Sequence, residues 1–165
     1  MATLLSEAAP VATLEQRLVA AFGAIDFTSA RFPFAATHYY FDEMGAPLTR
    51  VFYSFAHLIS PEALAAIKLH ANRLENEFAA QGKRTINLDP GYLDTDKFVL
   101  ASTKYHGYKI YLRDGIWADM TLHYEKGHFI AMPWSFPDFK NGAYEKTFVI
   151  IRECYKRQLK LIASP

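Results

Sequence analysis

The chain has 165 residues, of which 51% are hydrophobic and 15% aromatic, and its formal net charge is +1. That is ample apolar material for one packed domain and too much for a disordered chain. There is no basic excess to mark a nucleic-acid surface, and no apolar run approaches the ~20 residues a bilayer requires, so neither nucleic acid nor membrane is an expected partner.

A single domain over residues 1–165 is expected, with residues 1–12 forming a weak strand or a frayed tail. The opening "MATLLSEAAP" lacks the basic start and long apolar region of a secretory signal. The lone cysteine, Cys154, has no partner for an internal disulfide, which fits a reducing cytoplasm. Its context, "FVIIRECYKRQ", is helical and shows no adjacent base that would activate a nucleophile.

In "TLEQRLVAAFG", the pair Thr13 and Gln16 suggests a capping box, Leu14, Leu18 and Phe22 share one face, and Gly23 is a natural stop. The stretch "IDFTSARFPFAATHYYFDEMG" is rich in β-branched and aromatic residues, but Pro33 confines any strand there to an edge or a break. Within it, Tyr39, Tyr40, Asp42 and Glu43 are either a clamp for a base or sugar or ordinary edge packing. "LTRVFYSFAHL" alternates as a mostly buried strand.

The clearest helix is "SPEALAAIKLHANRLENEFAAQG". Ser60 caps it, Pro61 takes the first helical position, and Gly82 ends it. Leu64, Ile67, Ala71, Leu74 and Phe78 form the buried stripe, and Lys68, Asn72, Arg73, Glu75 and Asn76 a solvated face. Strands follow in succession: "RTINL", "KFVLAST", "YKIYLR", "IWADMTLHYE" and "HFIAM". "DPGY" reads as a type II turn, with Asp89 accepting a local backbone bond. Asp114-Gly115 is a strong hairpin signal and Lys126-Gly127 a weaker one. "PWSFPDFKNG" breaks the sheet, and Trp134 and Phe136 either close a pocket or cover an edge. A last helix, from about Ala143 to Ile162, should bury Tyr144, Phe148, Ile151, Tyr155, Leu159 and Ile162. The fold class is α+β: a largely antiparallel sheet with a ferredoxin-like βαββαβ start extended by a β-meander, the helices packed mainly on one face.

The runs "FGAIDFTSARFPFAATHYYFDEMG", "FYSFAHLISPEALAAIKLHANRLE", "INLDPGYL", "KFVLASTK" and "IYLRDGIWADMTL" through "PWSFPD" resemble a bacterial family catalogued as domain of unknown function 4416. The resemblance runs from about Val11 to Tyr155 and implies a fold but no reaction. Members typically begin with a fuller apolar strand and carry His-Arg before "IYL", where this chain has Tyr108-Lys109. Some members are labelled GTP-binding. Yet the glycines here sit at helix ends and turns, and none builds G-x-x-x-x-G-K-[ST] or G-x-G-x-x-G.

Chemistry-bearing side chains crowd into residues 84–119. A two-residue hairpin loop would pair Arg113 with Ile116, Leu112 with Trp117 and Ile110 with Asp119. Asp119 then sits among apolar neighbours, an expensive place for a carboxylate unless a donor reaches it. One candidate pocket gathers Arg84 and Lys104 as anion binders, Asn87, Tyr92 and Ser102 as orienting groups, and Asp119 or Asp89 as acid or base. The opposing reading is a buried salt-bridge network with a capped turn. His123, His128 and Glu125 share a ribbon but lack a recognised metal-ligand spacing, so no metal site is assigned, and no cofactor is named. No nucleophile carries a G-x-S-x-G signature.

The sequence thus favours binding or transformation of a small anionic ligand, a phosphorylated metabolite or nucleotide, in a polar pocket on the second-half sheet. The alternative is a non-catalytic protein-interaction or self-association module with an exposed apolar patch.

Overall fold

In a computed structural model the opening run "ATLLS" forms strand β1 (Ala2–Ser6). Its lack of alternation has a simple cause. Ala2, Thr3, Leu4 and Leu5 are all buried, because the strand lies between two neighbours with both faces covered. The description covers residues 1–36, 40–80 and 82–163.

By its internal contacts the chain divides into two compact units, Met1–His57 with Leu69–Asp89, and Leu58–Lys68 with Pro90–Pro165. The first unit continues from β1 into α1 (Val11–Phe22), β2 (Ile25–Thr28), β3 (Phe32–Phe34), the one-turn α2 (Phe41–Met44) and β4 (Leu48–Phe55). A 3-10 turn, Pro61–Ala63, leads into α3 (Leu64–Glu77), whose residues from Leu69 onward belong to this unit. The small pair β5 (Ala79–Ala80) and β6 (Lys83–Arg84) precedes β7 (Ile86–Asp89). The main sheet runs β2-β4-β1-β7, with β3 also on β4, and every pairing is antiparallel. Leu14 and Leu18 of α1 and Ala71 and Leu74 of α3 pack with Leu5, Val51, Tyr53, Ile86 and Leu88 on one face. On the other face Leu4, Phe34, Met44 and Leu48 form a smaller cluster.

The second unit contains β8 (Gly91–Leu93), β9 (Lys97–Ser102), β10 (Ile110–Arg113), β11 (Ile116–Glu125), β12 (His128–Ala131), α4 (Pro137–Lys140) and α5 (Glu145–Ala163). Its sheet runs β10-β11-β9-β8, with β12 also on β11, again antiparallel throughout. Phe98, Phe139 and Phe148 pack against one another, Phe98 stacked on Phe139 and Phe148 tilted against both, with ring centroids 4.7–6.2 Å apart. Both hairpin signals hold: Asp114 and Gly115 have φ of 52° and 74°, and Lys126 and Gly127 of 50° and 92°. The architecture is α+β.

Several local expectations are corrected. α1 begins at Val11, two residues before the Thr13 capping box, and no side chain caps it. α3 ends at Glu77 rather than at Gly82, because Ala79 onward turns into the β5–β6 pair. Lys68 and Glu75, assigned to its solvated face, are each only 4% exposed. In α5 the apolar stripe outruns the sheet beneath it, leaving Leu159 and Ile162 exposed. Gly91 opens β8 and lies outside the left-handed region that a type II turn demands of it. The glycine is required for another reason: a Cβ would lie 2.5 Å from the Val99 carbonyl oxygen and 2.8 Å from the Phe98 ring.

Candidate functional site

Three of the site residues expected from sequence, Arg84, Asn87 and Asp89, lie in the first unit. Ile86 and Leu88 of β7 point into the core, so alternation sends Asn87 and Asp89 to the opposite face, where they stand opposite Leu4 and Ala2. Arg84, at the end of β6, donates from Nε and Nη2 to the two carboxylate oxygens of Glu43, at 2.5 and 2.8 Å. Its Nη1 donates to Glu75 (2.6 Å) and to Asn87 Oδ1 (3.1 Å). Asn87 passes its amide to Asp89 at 2.8 Å. Glu75 spends its other oxygen on the backbone N–H of Leu88 at 2.6 Å, covering a donor on a strand that ends the sheet. The two carboxylates hold the guanidinium firmly in its charged form.

Beside this network lies a cleft of about 330 Å³, lined by Glu7, Asp42, Glu43, Lys83 and Arg84 among others. Three carboxylates face two cations there, and Arg84 is already bonded to Glu43, so the wall does not suit an anion. Tyr39, part of the expected aromatic clamp, lies outside the described residues, and Tyr40 packs edge-on against Phe34.

In the second unit, the long strand β11 has β9 along one side. Its other side is occupied first by β10, opposite Ile116–Ala118, and then by β12, opposite Leu122–Glu125. Between them the edge is open at Asp119 and Met120, while at Thr121 the backbone N–H of Met132, just beyond β12, reaches the carbonyl at 3.1 Å. Side chains from the following segment close it. Trp134 Nε1 donates to the Met120 carbonyl (3.0 Å) and Ser135 Oγ to the Thr121 carbonyl (2.5 Å). The sequence "PWSFP" thus supplies one donor, from Trp134, where a strand is missing, and a second, from Ser135, to a carbonyl that also accepts the Met132 N–H.

Asp119 sits in this gap, 6% exposed. The hairpin register differs from expectation: Arg113 does face Ile116, but an irregularity between Tyr111 and Arg113 sets Tyr111 opposite Trp117 and Ile110 opposite Ala118. The shift exchanges the faces of the preceding residues and delivers Lys109 to Asp119. The Lys109 ammonium lies 3.3 Å from Asp119 Oδ2, and the two side chains are 7% and 8% exposed. Lys109 also donates to Ser102 Oγ at 2.8 Å, and Ser102 in turn accepts the backbone N–H of Lys104 at 3.1 Å. Asp119 Oδ1 is buried without a hydrogen-bond partner among the described residues. Burial pushes the Asp119 carboxyl above the ordinary value near 3.8, with Lys109 first, then the Trp134 N–H and His106, opposing the rise.

Aromatic rings flank the pair. His106, Tyr108 and Trp134 form a stack with centroid separations of 4.3 and 5.0 Å. Burial, then the Asp119 charge, raises the Tyr108 pKa. Tyr105 and Tyr111 meet the edges of Trp117, each at 5.0 Å. Lys104 lies exposed in the loop between β9 and β10. Tyr92, on β8, lies under the Lys97 ammonium at 6.0 Å, and Lys97 pairs with Asp94. Of the expected set, Ser102 and Asp119 are brought together through Lys109, with Lys104 bonded to Ser102.

Sequence reasoning missed Lys109, His106, Tyr108 and Trp134 as partners of Asp119. The usable signal was position: Tyr108-Lys109 is where the chain departs from the pattern of the family it resembles. His123 and His128 part company, His123 lying 3.7 Å from Glu125 and His128 Nδ1 2.5 Å from Glu145 of α5. Among the described residues, no group of three or more His, Cys, Asp or Glu side chains is arranged to hold a metal ion, and no helix is long and apolar enough to cross a membrane.

No curated protein and no solved structure matches the chain. A family model does, over residues 1–155, and by that match the chain belongs to the family described as Domain of unknown function (DUF4416).

Proposed function

We propose that the second unit binds or transforms a small anionic ligand, a phosphorylated metabolite or nucleotide, where the β9–β10 loop covers the gap in β11. One observation carries this reading: a buried Lys109–Asp119 pair that leaves Asp119 Oδ1 without a donor. A buried acceptor left empty is costly, and a ligand hydroxyl or N–H satisfies it.

An ammonium has three donors, and Ser102 and Asp119 engage two of those of Lys109, so one is available to a ligand oxygen. Lys104 on the exposed loop is the second cation. Ser102 fixes the Lys109 ammonium, and the His106–Tyr108–Trp134 stack offers planar surface to a ring or sugar. Asp119, raised by burial, suits an acceptor in binding and an acid or base in any reaction. In this reading Arg84, Asn87 and Asp89 hold the first unit together, since Arg84 makes four hydrogen bonds within it. Tyr92 contributes through its contact with Lys97.

The test is a thermal-shift panel of nucleotides, sugar phosphates and carboxylates. A ligand at about a hundred times its dissociation constant adds about 2.7 kcal/mol, a shift of several degrees. The shift should vanish in Lys109→Ala and Asp119→Asn and persist in Arg84→Lys. A shift that survives both second-unit variants would refute the site.

A second reading, a non-catalytic interaction module, is favoured by the apolar side chains that β10 exposes. A silent ligand panel together with self-association in solution would select it.

A further inference from the structure

The groups around Asp119 differ in what they still lack. Ser102 is complete: its hydroxyl accepts from Lys109 (2.8 Å) and from the Lys104 N–H (3.1 Å) and donates to the Lys104 carbonyl (3.2 Å). The Trp134 N–H is spent on the Met120 carbonyl at 3.0 Å. Lys109, held by Ser102 and Asp119, keeps one N–H. Asp119 keeps one buried acceptor, Oδ1. The two side chains are 7% and 8% exposed, so a group that enters here must match one spare donor and one spare acceptor side by side.

Three ligand chemistries meet that demand differently. A phosphate or carboxylate brings acceptors only and sets a negative oxygen against Asp119 Oδ1. A sugar brings several hydroxyls, and those beyond the matched pair are left without partners in a buried place. The lactam edge of a heterocycle brings one carbonyl acceptor and one N–H donor on adjacent atoms, with no polar group left over. Its flat ring also suits the surroundings. His106, Tyr108 and Trp134 form a column with interplanar angles of 27° and 16°, and among the described residues neither end of that column is covered by a further ring.

Taking the Asp119 site as proposed above, we infer that it reads the base of a nucleoside, with the lactam carbonyl on Lys109, the adjacent N–H on Asp119 Oδ1, and the ring continuing the aromatic column. The phosphate of a nucleotide lies outside, toward Lys104 on the loop, and adds affinity without setting the choice of base. Entry needs the β9–β10 loop to lift. Residues 103–107 are all exposed, so little buried surface holds that loop down.

The chain has two tryptophans, and Trp134 borders Asp119, so its indole N–H signal reports on the site by NMR once Trp117→Phe has assigned the pair. Inosine and uridine should shift that signal. The same nucleosides methylated at the lactam nitrogen lose the donor and should bind at least about tenfold more weakly. Asp119→Asn, with Lys109 on the amide oxygen, turns a second donor toward the base N–H and should weaken inosine and uridine by a like factor. Ribose phosphate should leave the signal unmoved. Equal binding of methylated and unmethylated nucleosides would overturn the inference. So would binding of ribose phosphate where the nucleosides do not bind, a result that leaves an anion site at Asp119 standing. If neither nucleosides nor ribose phosphate bind, base and anion readings fall together. Should Asp119→Asn fail to fold, the methylated nucleosides on the wild-type chain decide alone.

Discussion

Glu75 and Asp119 are both buried carboxylates facing a basic side chain, yet they are finished differently. Glu75 has one oxygen on Arg84 and the other on the Leu88 N–H. Asp119 has one oxygen near Lys109, and its Oδ1 is buried without a well-formed hydrogen bond, the nearby Trp134 N–H going to the Met120 carbonyl. Arg84, a planar fork, is shared by Glu43, Glu75 and Asn87 in fixed geometry, whereas Lys109 is a point charge with a donor to spare. A satisfied network holds a fold together. A network one bond short, beside an exposed loop, can take a ligand.

The sharpest way to break this contrast is to remove each cation. Arg84→Met strands Glu75, which is 5% exposed at its side chain, and should cost about 3–5 kcal/mol in urea unfolding at neutral pH. Gly91→Ala should cost about 2–4 kcal/mol, since the new Cβ meets backbone rather than a flexible side-chain tip. Lys109→Met should cost about 2–3 kcal/mol at pH 7, and its loss should shrink on acidification. The sign follows from the raised carboxyl: protonating Asp119 removes the uncompensated charge, so stability returns as the pH falls through its folded pKa toward 3.8.

Asp119→Asn should change stability by less than about 1 kcal/mol, because the lost partner of Lys109 is offset by the removed desolvation cost. Wild type should gain stability relative to Asp119→Asn as pH drops, fully so below the unfolded pKa and not at all well above the folded one. Parallel curves for the two proteins would mean that Asp119 titrates normally.

The fold was legible where local chemistry decides it. Asp114-Gly115 and Lys126-Gly127 announce their hairpins through the positive φ their turns require. "LTRVFYSF" reads as the buried strand it is. The site was legible only in part, for a reason of register. A strict two-residue hairpin put Lys109 on the face away from Asp119. An irregularity between Tyr111 and Arg113 reversed that, and no residue in "KIYLRD" signals it. Glu75 was read as solvated because helical periodicity does not report that a strand ending a sheet needs its Leu88 N–H covered. Trp134 and Phe136 read as closing a pocket or covering an edge, but the Met120 carbonyl that Trp134 bonds becomes visible only once β10 and β12 are seen to leave β11 uncovered between them, and the bond from Ser135 to Thr121 carried no sequence signal.

The most direct measurement is the titration of the Asp119 carboxyl by NMR, in wild type and in Lys109→Met, with and without a ligand that shifts the melting temperature. A buried, half-satisfied carboxyl should titrate above the ordinary aspartate range, move higher when Lys109 is removed, and respond to ligand in the wild type. An Asp119 that titrates near 3.8 and ignores both changes would show a solvated side chain and contradict the site.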